Sequence, residues 1–95
     1  MPLKVSIVTS GTDHPRIKRL DWATDNPMDK TNVSKQIMGS YTENECIVTL
    51  YFEDQDAFDT YRRKNAARII RIGNMRESNS MVAVQTVETV DTIPE

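Results

Sequence analysis

Cysteine and histidine are nearly absent from this chain, with one residue of each. A single cysteine, Cys46, cannot form an intrachain disulfide, so nothing in the sequence calls for an oxidising compartment. One histidine and one cysteine far apart match no zinc or iron–sulfur spacing. The acidic stretch FEDQDAFD lacks the glycine that a calcium loop needs. No metal or other cofactor is therefore expected. Long apolar runs are missing as well. No segment approaches the ~20 residues of a membrane span, and MPLKVSIVTSG lacks the roughly seven consecutive apolar residues of a signal-peptide core. These absences make a cytoplasmic protein without a membrane partner the expectation. Positive charge is not in excess either: 12 Lys and Arg against 14 Asp and Glu give a net charge of −2. A dedicated nucleic-acid binder is usually strongly basic, so a nucleic-acid partner is not expected.

What is present is an ordinary globular composition, 38% hydrophobic and 27% charged. The length fits a single domain spanning residues 1–95, with 88–95 as a polar tail. Residues 3–9, LKVSIVT, alternate, with Leu3, Val5 and Ile7 on one face, and predict a strand ending at Ser10-Gly11. Pro15 suits the first turn of a short helix over 15–24. Asn26-Pro27 ends that segment, and a polar loop follows. Residues 36–41 and 46–52 read as a hairpin with its turn at 42–45. Asp54 is a plausible helix N-cap. Ala57, Phe58, Tyr61, Asn65, Arg68, Ile69 and Ile72 keep a helical rhythm, and Gly73-Asn74 reads as its stop. A rival reading ends that helix near Ala66 and makes 68–72 a strand. MVAVQTV, 81–87, predicts the last strand. The order β-α-β-β-α-β is that of a ferredoxin-like α+β domain, one antiparallel sheet with helices on one face.

The third strand is apolar on both sides. Ile47, Thr49 and Tyr51 point one way, and Val48, Leu50 and Phe52 the other. A small sheet normally needs only one buried face. The second face therefore calls for a cover, and the economical cover is a second copy of the chain.

Charge is sorted along the sequence. Residues 40–60 carry acids without bases, and 61–76 carry bases without acids. A helix with an acidic start and a basic end complements its own dipole, which explains the sorting without a ligand. On one continuous helix Lys64, Arg68 and Arg71 would form a stripe. With Arg62 and Arg63 they are the candidate nucleic-acid contacts, should the protein be a regulator of that kind. Against that, the last strand has no aromatic residue of the kind that RNA-binding sheets use. Cys46 begins an apolar strand beside Glu45 and reads as a core residue rather than a nucleophile. His14, in DHPR, is the one side chain that titrates near neutrality without perturbation.

The segment IVTLYFEDQDAFDTYRRK, a strand, an acidic turn and a helix beginning Ala-Phe and then Tyr, resembles the third strand and second helix of dimeric α+β-barrel proteins. That superfamily includes the antibiotic-biosynthesis-monooxygenase-like domains. The resemblance implies ferredoxin-like protomers packed sheet against sheet around a cavity. Members include cofactor-free oxygenases, haem-degrading enzymes and many proteins of unknown role. Residues 15–24 are shorter than the first helix usual there, and no catalytic set transfers position by position. The expected function is thus a small homodimeric module that binds a small apolar ligand between sheets. The alternative is a cofactor-independent monooxygenase-like enzyme, with His14, Trp22, Tyr41 and Tyr51 as candidate catalytic groups.

Overall fold

The computed structural model describes residues 1–11, 28–42, 44–78 and 81–95. Alternation builds the first strand, β1 (Leu3–Ser10), in the centre of the sheet. The hairpin strands are β2 (Lys35–Tyr41) and β3 (Glu45–Phe52). Two helices follow, α1 (Gln55–Lys64) and α2 (Ala66–Ser78), and then β4 (Val82–Thr89). The four strands lie in the order β2-β3-β1-β4, and every neighbouring pair is antiparallel. The short helix expected at 15–24 lies outside the described residues.

Register sets which residues share a face. Leu3 pairs with Phe52, Val5 with Leu50 and Ile7 with Val48. Leu3, Val5, Leu50 and Phe52 join Phe58 and Tyr61 of α1 in one buried cluster, with Ile7, Met28, Val33, Val48 and Ala57 packed against it. Phe52 is its centre, fully buried, with ring centroids 5.1 Å from Phe58 and 5.3 Å from Tyr61. Both contacts fall in the range of favourable tilted and edge-on aromatic pairs.

Asp54 caps α1 as its residue type suggests. Its side chain accepts a 2.9 Å hydrogen bond from the Ala57 amide, which satisfies one of the unpaired donors of the first turn. Asp56 in the first turn and Arg62, Arg63 and Lys64 in the last match the helix dipole.

The structure corrects the rest of the helical reading. A single helix ending at Gly73-Asn74 is replaced by two helices meeting at Asn65, and 68–72 is helix rather than strand. Gly73 does not take the left-handed conformation that a C-capping glycine adopts, and α2 runs on to Ser78. The Met81 amide then donates to the Arg76 carbonyl at 2.8 Å and leads the chain into β4. That strand extends two residues past the expected end, and the Val90 amide donates to the Pro2 carbonyl at 2.9 Å.

The hairpin carries one irregularity. Between Met38 and Tyr41 the chain advances three positions on β2, while the partners Val48 and Cys46 are two apart on β3, so β2 holds one extra residue. Gly39 sits at this bulge. A Cβ there would lie 3.1 Å from the Ile47 Cβ, so the close approach of the two strands favours glycine.

Candidate ligand-binding site

A cavity of about 340 Å³ lies between the sheet and the helices. Val5 and Ile7 of β1 and Leu50 of β3 form its apolar floor, with Ala83 and Gln85 from β4 beside them. Phe58 and Tyr61 close it from α1, and Ile69 and Ile72 from α2. Met28, ahead of β2, also lines it. The volume is at the lower end of the ~300–1,000 Å³ of ligand sites, and the mixture of many apolar walls with a few polar groups is typical of them.

The cavity exists because the two helices cover the sheet unequally. On α1, Phe58 and Tyr61 are buried. On α2 no described side chain is fully buried, and Ile69 and Ile70 remain 40% and 64% exposed. The break between the helices is built around Asn65, which is completely buried. Its side-chain amide donates to the carbonyls of Asp29 and Tyr61, both at 2.9 Å, and its Oδ1 accepts from the Asp29 amide at 2.8 Å. The side chain thus pairs with both backbone polar groups of Asp29 while entering the helical ladder, a recognised cause of a helix kink. This clamp also fixes the loop that carries Met28 to the cavity. Asp29 is itself held in a turn: its carboxylate accepts from the Thr31 hydroxyl at 2.6 Å and from the Thr31 amide at 3.0 Å. Those two hydrogen bonds lower its pKa below the usual carboxylate value.

Among the described residues, four that line the cavity carry polar side chains: Tyr61, Arg62, Arg76 and Gln85. Burial raises the Tyr61 pKa above 10.0, so its hydroxyl is protonated at neutral pH and suits donating a hydrogen bond rather than acting as a base. The Arg62 guanidinium carbon lies 5.4 Å from the centre of the Phe58 ring, within cation–π range.

The residues singled out from the sequence fall elsewhere. His14 and Trp22 lie outside the described residues. Tyr41 ends β2, in register with Cys46. Tyr51 is buried on β3 but pairs with Lys4 and Lys35, which puts it on the sheet face away from the helices and away from this cavity. A ligand site was expected between sheets, whereas this space lies between sheet and helices. The basic residues are divided by the Asn65 break. Arg62, Arg63 and Lys64 are exposed on α1; half-buried Arg68 and exposed Arg71 belong to α2. A stripe along one helix is therefore not formed. Cys46 is buried at 1% exposure. Among the described residues, no group of three or more His, Cys, Asp and Glu side chains is placed to hold a metal, and no helix is long and apolar enough to cross a membrane.

The sheet face away from the helices is the second notable surface. Val84, Val8 and Ile47 form one row across β4, β1 and β3. Ile37 on β2 and Val82 on β4 extend the same face. Val82, Val84 and Ile37 are 62%, 58% and 38% exposed.

No protein-family model matches the chain, and no curated protein gives a significant match. Solved structures do match across nearly its whole length. SnoaB, a cofactor-independent oxygenase from Streptomyces nogalater, superposes with a TM-score of 0.69 at 11% identity, covering 99% of this chain and 98% of that one. A dimeric ferredoxin-like protein from an uncultured marine organism gives a TM-score of 0.70 at 8% identity, with 98% of each chain covered. Rv0793 from Mycobacterium tuberculosis gives 0.64 at 13% identity over 100% of both chains. The chain has the ferredoxin-like α+β fold that these proteins share.

Proposed function

We propose that this protein is a homodimeric binding module that holds a small apolar ligand in the cavity between its sheet and its helices. The observation that carries the reading is the cavity itself: a ligand-sized space with a mainly aliphatic and aromatic lining is retained in a domain small enough to need all the burial it can obtain. Pairing through the open sheet face is supported by the exposed side chains of Val82, Val84 and Ile37 on it and by the dimeric ferredoxin-like neighbour. Naphthalene-2-methanol, a neutral bicyclic probe, binds the protein in a calorimetric titration and does not bind Ile72→Trp, whose indole fills the cavity from α2. Equal binding by both proteins would remove the cavity from the account. In sedimentation equilibrium the protein is a dimer, and Val84→Asp is a folded monomer, because a carboxylate buried in an apolar interface has no partner. A monomeric parent protein would refute the pairing.

A second reading, a cofactor-independent oxygenase, draws its support from the fold likeness to SnoaB. Fold alone supports chemistry weakly. The reading requires the protein to accelerate dioxygen uptake in the presence of a naphthohydroquinone. A rate equal to the protein-free control would eliminate it for that substrate class.

A further inference from the structure

We propose that Asn65 is a positioning residue for the cavity: through Asp29 it holds Met28 in the cavity wall, and so sets how tightly the space takes a ligand. That rests on the cavity being a ligand site. What it adds is control of the site by a residue that does not line it.

Asn65 lies at the break between α1 and α2, and Asp29 lies 36 residues earlier in the chain. The cavity is lined not by these two but by residues next to them: Met28 precedes Asp29, and Tyr61 is one helical turn before Asn65. Both polar backbone groups of Asp29 are taken by the one side chain, the amide by Oδ1 at 2.8 Å and the carbonyl by Nδ2 at 2.9 Å. The remaining bond, from Nδ2 to the Tyr61 carbonyl at 2.9 Å, ties Asn65 to α1. Adjacent Cα atoms are only about 3.8 Å apart, so a pinned Asp29 leaves Met28 chiefly its side-chain torsions. Those torsions suit a wall, because methionine is unbranched and fits itself to an irregular neighbour. Met28 packs against the buried cluster as well as lining the cavity.

Without Asn65 the part-buried amide and carbonyl of Asp29 lose their partner, which favours conformations in which they reach water. The Thr31 hydrogen bonds hold the Asp29 carboxylate and not its backbone, so they do not substitute for the clamp. In the released conformations Met28 leaves the wall. Apparent affinity then falls in proportion to the fraction of molecules with the wall in place. The coupling is reciprocal: a ligand that packs on Met28 favours the clamped state and protects the Asp29 amide. An Asn65 that served the fold alone would change the unfolding midpoint and leave binding by the folded protein as it was.

The test is a double-mutant cycle. Naphthalene-2-methanol is titrated calorimetrically into the parent protein, Asn65→Ala, Met28→Ala and the double variant, at a temperature where unfolding curves show each to be folded. Asn65→Ala is expected to weaken binding about tenfold. Met28→Ala weakens it too, and in that background Asn65→Ala adds less than about twofold, since no wall is left to hold. A second measurement needs no variant: in the parent protein, saturating naphthalene-2-methanol slows hydrogen exchange at the Asp29 amide more than at the Ser34 amide, which donates to the Tyr51 carbonyl. If the parent binds and Asn65→Ala binds equally well, positioning by Asn65 is wrong while the ligand cavity stands. An Asn65→Ala effect undiminished by Met28→Ala, or equal slowing at Asp29 and Ser34, likewise overturns it. If the parent does not bind the probe, the ligand reading falls and this one falls with it.

Discussion

Helices α1 and α2 lie on the same side of one sheet and do different work. α1 carries two aromatic anchors, Phe58 and Tyr61, both packed on Phe52. α2 presents isoleucines instead: Ile69 and Ile72 line the cavity, while Ile70 is largely exposed. Flat aromatic rings reach the sheet and fill the space in front of it, and the branched aliphatic side chains leave a gap. The domain's buried packing is therefore concentrated under α1 and its open space under α2. A single layer of structure is divided into a packed half and a hollow half, with Asn65 at the division.

The largest expected effect comes from breaking the packed half. Phe58→Ala costs about 3–5 kcal/mol in urea unfolding, because it removes a buried ring packed against Phe52. Ile72→Ala, the matching truncation on the hollow side, costs well under half as much, since the side chain already faces space. Equal losses at the two positions would show that the halves are packed alike.

Next in size is the division itself. Asn65→Ala removes the hydrogen bonds to both backbone groups of Asp29. The expected cost is about 1–3 kcal/mol, since these part-buried groups lose their partner. Hydrogen exchange at the Asp29 amide should accelerate with it. An unchanged exchange rate would mean that the loop is held by something other than this side chain.

The smallest effect is confined to alkaline pH. The Tyr61 pKa is raised in the folded state, so its contribution to stability is complete below the ordinary tyrosine value of 10.0 and is lost as pH rises through the higher folded value. Unfolding midpoints should therefore fall as pH rises past the ordinary tyrosine value of 10.0. The fall should be shallower in Tyr61→Phe, which cannot ionise there. Identical alkaline limbs would show that Tyr61 is not the group responsible.

Several of these features can be traced to short stretches of sequence. The alternation Leu3-Val5-Ile7 predicts β1 because a strand's side chains change face at each residue, and the structure pairs those three with Phe52, Leu50 and Val48. Asp54 followed by Ala57 and Phe58 is a local capping pattern, and the bond it predicts is present. The helix break was not legible. Asn65 fits a helical rhythm perfectly well, and its reason for interrupting one is a loop 36 residues earlier in the chain. Gly73 was misread for the same reason in reverse: a stop signal at that point is only a local preference, and α2 passes through it to reach the start of β4. The apolar second side of β3 was visible, but not that Tyr51 would be buried there while Val82 and Val84 on β4 stay exposed.

The succession of strands along the chain, the acidic start and basic end of α1, and the two-sided apolar character of β3 were fixed by residue spacing, since each depends on periodicity within a few neighbouring residues. The cavity and the clamp on Asp29 were decided only in three dimensions. Each depends on how far one packed element stands from another, and that distance is set by side chains brought together from separate parts of the chain.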